Sequence, residues 1–345
     1  MVRGHVRLGI IGCGAAARIC HLPAARRTQD VDVVALADKN LAHAQALGRQ
    51  FGIENCTEDY HRFVKDVDGI IVCLPNYLHV PVGEELLRMG VPVLMEKPLA
   101  PTADGAMKLI ALASEAGVPL QVGHRFRFSK AARLTKRVID EGWLGPLRSF
   151  SLEFGEPFSW PVASPFFSRK EQAEGGVLID TGSHMLDLLL WWLGDVVDVE
   201  YRDDNLGGVE ADCQLSLALR GPAGVVRGDV LLSRLRTLSR TAHLAGEDFV
   251  LECNLSGPYE VCIRPSTWDV HDPLLASRFD PHPDTFGGMF VEQLLAFAQA
   301  IRDGSPPVVS GETILGTVAL IERCYRERKP LAAPWHADVT APSVA

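Results

Sequence analysis

This chain has no basic excess, no long apolar run and no cysteine framework, and each absence removes a class of function. With 34 Lys and Arg against 43 Asp and Glu, the formal charge is −9. There is no basic footprint for a phosphate backbone, so nucleic acid is not an expected partner. No stretch of about 18 uninterrupted apolar residues occurs, although 177–193 is locally greasy, and no membrane partner is expected. The apolar run in MVRGHVRLGIIGCG is too short for a secretory h-region and ends in glycines that fit a fold motif, so the expectation is a soluble cytoplasmic protein. The eight cysteines, at 13, 20, 56, 73, 213, 253, 262 and 324, show no C-x-x-C spacing. They read as small core residues rather than a disulfide scaffold. Metal chemistry also lacks a signal: there is no H-E-x-x-H and no Cys/His cluster, and D-x-x-x-H alone lacks the rest of a zinc shell. No metal is expected.

What is present is 345 residues with 47% hydrophobic content, enough for two domains that each bury a core. Apolar runs at 6–11, 31–37, 69–75, 91–98 and 118–123 alternate with segments of helical character, including 79–89 and 102–116. That alternation predicts an open parallel sheet with helices on both faces. After a helix near 129–141, Gly145-Pro146 interrupts and the pattern changes. LRSFSLEF at 147–154 reads as a strand and 176–194 as a buried helix, followed by the strand-like runs CQLSLALR, VVRGDVLLSR, FVLECNL and YEVCIR. A mostly antiparallel sheet in an α+β second domain is expected. Two amphipathic helices, 287–303 and 311–328, are expected to pack back towards the first domain. The boundary is set between 1–123 and 124–345.

The segment Gly12-Cys-Gly14-Ala15-Ala16-Ala17 is a G-x-G-x-x-A fingerprint directly after the first strand. Gly12 permits the tight turn, Gly14 lets backbone approach a pyrophosphate, and Ala17 lets helix pack on strand. The following helix start presents unsatisfied N–H groups to negative charge. Asp38 ends the second strand at the spacing from which a carboxylate accepts hydrogen bonds from an adenosine ribose and repels a 2′-phosphate. NAD is therefore favoured over NADP, although Lys39 and Arg18 lie nearby in sequence. Pro75, Asn76 and His79 follow the third strand-like run, at the edge where ligands of such sheets collect. Asn76 suits a helix cap or a cofactor contact, and His79 suits cofactor packing or a local helix contact.

Glu96-Lys97-Pro98 ends the next apolar run at that same edge. Lys97 can reach a nicotinamide and a substrate hydroxyl, with the proline restricting its backbone; an exposed strand-end lysine is the plain alternative. Asp180 and His184 are four apart in the mid-chain helix and share a face. They suit proton transfer and the orientation of a hydroxyl, or helix capping with a satisfied core histidine. With Asp187 they place several polar groups in an apolar segment, where partners or a cleft are required.

Taken together and in order, Gly12 to Ala17, Glu96-Lys97-Pro98 and Asp180-Thr-Gly-Ser-His184 resemble the Gfo/Idh/MocA oxidoreductases, over nearly the whole chain. The resemblance implies a Rossmann domain that binds the nicotinamide cofactor and a C-terminal open sheet that mediates homodimer or homotetramer contacts. It implies Gly12, Gly14, Ala15, Ala16, Asp38, Pro75, Asn76, His79, Glu96 and Lys97 around the cofactor. Lys97, Asp180 and His184 would surround a sugar or cyclitol substrate, with His184 as favoured acid/base and Lys97 assisting. Where the family frequently reads V-G-F/Y-N-x-R-F, this chain has Val122-Gly-His124-Arg125-Phe-Arg127-Phe128. Arg125 replaces a neutral asparagine and can meet a substrate anion or a protein carboxylate, and Arg127 matches the usual family arginine near cofactor or substrate. Relatives also include redox-neutral glycoside hydrolases and ligand-sensing regulators, which remain the alternatives. The aromatic residues Trp160, Phe166, Phe167 and Trp268 suit sugar packing or ordinary domain packing.

Overall fold

Parallel strands buried on both faces read as near-continuous apolar runs, and the N-terminal half is built from such runs. A computed structural model describes residues 5–161, 169–222, 224–257, 260–267, 275–276 and 285–331. Phe166, Phe167, Trp268 and the tail 333–345 lie outside them.

Strand β1 (Val6–Ile11) leads through a wide π-type turn, Ala16–His21, into the short helix α1 (Leu22–Ala25). Then come β2 (Val31–Ala37), α2 (Leu41–Phe51), β3 (Asn55–Thr57) and β4 (Gly69–Val72). Helix α3 (His79–Arg88), β5 (Val93–Met95), α4 (Ala103–Ala116) and β6 (Leu120–Val122) complete the unit. The strands pair in parallel, in the order β3-β2-β1-β4-β5-β6. This is the Rossmann order, which reverses direction between β1 and β4 and opens a crevice at their carboxyl ends. Side-chain oxygens close the helix starts: Asn40 accepts from the Ala42 N–H and Thr102 from the Gly105 N–H, each satisfying an otherwise orphaned donor.

Helix α5 (Lys130–Asp140), with Ser129 as its cap, precedes β7 (Leu147–Gly155) and the single-turn α6 (Lys170–Ala173). The mid-chain helix is in two pieces, a π-type turn at Leu178–Gly182 and then α7 (Ser183–Leu193). Strands β8 (Asp195–Asp203), β9 (Asp212–Gly221), β10 (Gly224–Ser233), β11 (Thr241–Gly246), β12 (Phe249–Asn254), β13 (Val261–Pro265) and β14 (Leu275–Ala276) follow. Helices α8 (Phe286–Asp303) and α9 (Gly311–Arg326) and the two-residue β15 (Lys329–Pro330) end the described chain. The nine-stranded sheet runs β14-β13-β12-β11-β7-β10-β9-β8-β15. It is antiparallel except where β10 meets β7 and β15 meets β8, so the expected α+β domain is a mixed sheet.

Helix α7 is buried through most of its length and lies against α5, α9 and β9. Helix α8 returns to the first sheet: Phe290, Leu294, Phe297 and Ala298 share a core with Leu8, Ile10 and Ile71. Helix α9 packs against α4, β6, α7 and β8. The two sheets are thus tied by a shared apolar interior.

Candidate active site

A cavity of about 930 Å³ opens at the carboxyl ends of the parallel strands and is closed on its other side by the turn before α7 and the end of β10. Its first wall is the glycine turn. Gly12 has φ +94°, and a Cβ there would stand 2.3 Å from the Cys73 carbonyl oxygen, so no L side chain fits. Gly14 faces the cavity with nothing within 4 Å of where its Cβ would be, which leaves bare backbone for a ligand to approach. Ala15 and Ala16 also line the space, while Ala17 is fully buried. Asp38 lines it too, and its carboxylate accepts from the Cys13 N–H at 2.8 Å and the Asn40 N–H at 2.8 Å. Each oxygen retains a lone pair for a ribose hydroxyl. These features suit a dinucleotide.

Pro75 and Asn76 line the cavity, and Asn76 donates through Nδ2 to the Ala173 carbonyl at 2.7 Å, bridging to the second domain. The amide therefore works as neither of the two expected roles alone: it is no helix cap, and it clasps the two walls. His79 departs further from expectation. It is fully buried, its Nδ1 lies 2.6 Å from the Pro98 carbonyl and its Nε2 2.9 Å from that of Leu74, and it is not among the lining residues. Burial pushes its pKa down despite those carbonyls. A neutral imidazole can donate to only one of them, so His79 is a brace behind the wall.

Glu96 and Lys97 stand at the end of β5 on the cavity. Burial opposes charge on Glu96, but the hydrogen bond from His21 Nε2, at 2.7 Å, and the neighbouring Lys97 hold its pKa below the ordinary value. Lys97 Nζ donates to the Asp180 carboxylate and, at 3.1 Å, to the Asp180 main-chain carbonyl. The other carboxylate oxygen of Asp180 accepts from Arg234 Nη2 at 2.6 Å. Burial alone would raise the Asp180 pKa; Lys97 and Arg234 bring it down to about 2.

His184 lies one turn beyond Asp180 and also lines the cavity, 8% exposed. Its ring meets those of His124 and Phe126 edge-on, each at 5.3 Å, and its Nδ1 is enclosed with no hydrogen-bond partner among the described residues. Burial, then the charges of Arg125 and Lys97, push its pKa well below the usual histidine value. The turn that carries this pair hangs from Glu210, whose carbonyl accepts from the Val177 N–H at 2.9 Å and whose carboxylate accepts from the Leu178 N–H at 3.0 Å. Tyr325 donates to the same carboxylate at 2.8 Å. A Cβ on Gly176 would stand 1.8 Å from the Glu210 carbonyl oxygen, so only glycine allows this approach.

The two arginines of the His124–Phe128 stretch separate. Arg125 lines the cavity, with its guanidinium 4.1 Å from the Phe126 ring centroid and 4.8 Å from that of Phe286. Arg127 points the other way and corrects the expectation of a ligand contact: it is buried, absent from the lining, and paired with Asp187 through Nε at 2.9 Å and Nη2 at 2.6 Å. At about three residues per turn, the short 3-10 segment Arg125–Phe128 points side chains two positions apart about 120° away from each other. Trp160 lines the cavity and packs on the first-sheet core.

Sequence reasoning passed over Arg234 and the lining residue Cys20. Arg234 gave one signal, its position at the end of a strand-like run, the same signal that singled out Lys97. Burial, then Glu96, pushes the Cys20 thiol up to about 12, so it lines the site as an unreactive thiol.

Comparison with known proteins agrees with this arrangement. The family described as "Oxidoreductase family, NAD-binding Rossmann fold" matches residues 6–124, and "GFO/IDH/MocA C-terminal domain" matches residues 132–248. A putative UDP-kanosamine synthase oxidoreductase subunit of Amycolatopsis mediterranei (strain S699) is 33% identical over 61% of this chain and 63% of its own length. That match spans less than two thirds of the relative. A dTDP-3,4-didehydro-2,6-dideoxy-alpha-D-glucose 3-reductase of Actinomadura kijaniata is 28% identical over 92% of this chain and 94% of its own. A crystal structure of a 3-ketoreductase from Actinomadura kijaniata, in complex with NADP and TDP-benzene, superposes with a TM-score of 0.81 at 25% identity, covering 96% of this chain and 100% of that one. With both domain descriptions matched in order, and the Rossmann order and open sheet both present, the chain belongs to the Gfo/Idh/MocA oxidoreductases.

Proposed function

We propose that this protein is an NAD(P)-dependent oxidoreductase that moves a hydride between a nicotinamide cofactor and a secondary hydroxyl or keto group. The substrate class is a sugar, a sugar derivative or a cyclitol, and NAD is preferred over NADP. The observation that carries the reading is that Lys97, Asp180 and His184 line the same cavity as Gly14 and Asp38. The named activities of relatives in sugar-nucleotide chemistry support the substrate class.

Gly12, Gly14, Ala15 and Ala16 would hold the pyrophosphate, Asp38 the adenosine ribose, and Pro75, Asn76, Glu96 and Lys97 the nicotinamide half. When bound, the nicotinamide supplies or accepts a hydride at its ring. The remaining work belongs to side chains. An ammonium has three N–H donors, and Lys97 commits two directions to Asp180, leaving one for the reacting oxygen. His184, kept neutral by burial and nearby cations, stands in the form that takes up the hydroxyl proton, and Lys97 stabilises the charge that develops on that oxygen. Asp180 orients a neighbouring hydroxyl. The same reading expects a homodimer or homotetramer.

The test is purified protein with a panel of sugars and cyclitols, and with keto-sugars and reduced cofactor, followed by nicotinamide absorbance. Turnover with NAD exceeding that with NADP supports the reading. Glycone release without accumulation of reduced cofactor, or dinucleotide binding with no turnover in either direction, overturns it in favour of redox-neutral hydrolysis or of a regulator.

A further inference from the structure

Among the described residues, Asp180 is the one cavity carboxylate held by two cations from different parts of the fold. Lys97 arrives from the end of β5 and Arg234 from just past β10. The backbone of Arg234 is fixed on both sides: its N–H donates to the Ala211 carbonyl at 2.8 Å, and its carbonyl accepts from the Phe158 N–H at 2.9 Å. Its guanidinium lies 5.1 Å from the Phe158 ring centroid, and its side chain is 12% exposed. A pair so shielded from water is screened little.

We infer that Arg234 is a positioning residue for the reaction, holding Asp180 ionised and turned towards Lys97 while adding positive charge beside the reacting oxygen; this rests on the function proposed above. Lys97 with Asp180 alone would form a neutral pair, with little field left for a developing alkoxide. The second cation makes the trio positive. Arg234 also fills the far carboxylate oxygen, so Asp180 cannot swing both oxygens onto Lys97 and use up its remaining donor.

Arg127 gives the contrast within the same molecule. It meets Asp187 through two nitrogens away from the cavity, the arrangement of a structural brace. Arg234 uses Nη2 alone on its carboxylate and lines the cavity. The other titratable or charged groups along this wall are His184 on the same helical segment, Arg125, Glu156 and Glu96, and Glu156 is paired with Arg240 at 2.9 Å.

The test compares Arg234→Met and Arg234→Lys with the parent protein. Arg234→Met is expected to lower kcat about 10- to 100-fold, the scale of losing one hydrogen bond to a charged group, with dinucleotide affinity unchanged. Arg234→Lys, or added guanidinium ion with Arg234→Met, is expected to restore part of kcat. A loss that neither restores, or an unchanged kcat, overturns the inference. A second readout needs no substrate: carbon-13 NMR of protein labelled at the aspartate carboxyl, with Asp180→Asn identifying the signal. The Asp180 resonance should titrate at distinctly higher pH in Arg234→Met than in the parent, and identical titration overturns the inference. Absence of turnover in the parent would count against the proposed function alone, since the NMR comparison still decides whether Arg234 holds Asp180.

Discussion

Lys97 and Asp180 stand 83 positions apart, yet the ammonium of one is anchored on both the carboxylate and the main-chain carbonyl of the other, the latter at 3.1 Å. The bond crosses from the Rossmann sheet to the helical turn of the second domain, so the pair joins the halves of the cavity as well as facing it. Substituting Lys97→Met or His184→Gln should therefore lower turnover by about 100- to 10,000-fold, the range for a lost proton-transfer group. Dinucleotide affinity, read by fluorescence titration, should stay near the parent value in His184→Gln. Parent-like turnover in both variants would remove their assigned roles.

Under the proposed function, the carboxylate of Asp38, just past β2, favours NAD over NADP. In Asp38→Ser a hydrogen bond to the ribose through a charged group is weakened, worth about 1.5–3 kcal/mol, and repulsion of a 2′-phosphate is lost. The ratio of kcat/KM for NAD over NADP should fall at least about tenfold. Steady-state kinetics with both cofactors measures it, and an unchanged ratio would shift the determinant elsewhere in the turn.

Arg127 and Asp187 form a buried pair, and removing one partner strands the other. Arg127→Met should destabilise the fold by about 3–5 kcal/mol, whereas Arg127→Met with Asp187→Leu should recover much of the loss. Urea denaturation of the two variants decides the matter. If the single variant unfolds like the parent but binds substrate poorly, the arginine serves a ligand after all.

Three buried histidines make stability depend on mild acid. Burial lowers the pKa of His79 and of His184, and it brings His124 down to about 4 against the opposing charge of Asp187. The unfolded chain takes up these protons around the ordinary value of 6.5, while the folded chain resists them. Their stabilising effect is complete above pH 6.5 and drains away as pH falls towards the folded values, on the order of 3 kcal/mol for His124. Urea midpoints should fall between pH 7.5 and pH 5, less steeply in His124→Phe. A midpoint independent of pH across that interval would contradict this account.

The β-α-β half was legible because buried parallel strands leave unbroken apolar runs and each one stops at glycine, aspartate or proline. Lys97, Asp180 and His184 stood out as polar residues at strand ends or in an apolar helix. Strand β8 did not, because most of its exposed positions are charged and only Val199, Tyr201 and Asp203 of its nine residues are buried. Strand β11 is six residues of mostly small side chains, with little apolar signal. Arg127 misled for a different reason: spacing along a motif does not say which way a short 3-10 turn will throw its side chains. Arg234 offered a strand-end position with no motif around it, and its pairing with Asp180 is visible only in three dimensions.

Both chemistry-bearing segments share one irregularity, the π-type turns at Ala16–His21 and Leu178–Gly182. Such a turn is a helix with one residue too many for its register, and it recurs where function outweighs regularity. Deleting Thr181 would let the backbone relax into an even spiral. It would also shorten the Asp180–His184 spacing from four residues to three, turning one relative to the other by about 100°, given 3.6 residues per turn. Both side chains would remain and lose their common direction, so here the count of residues matters as much as their kind.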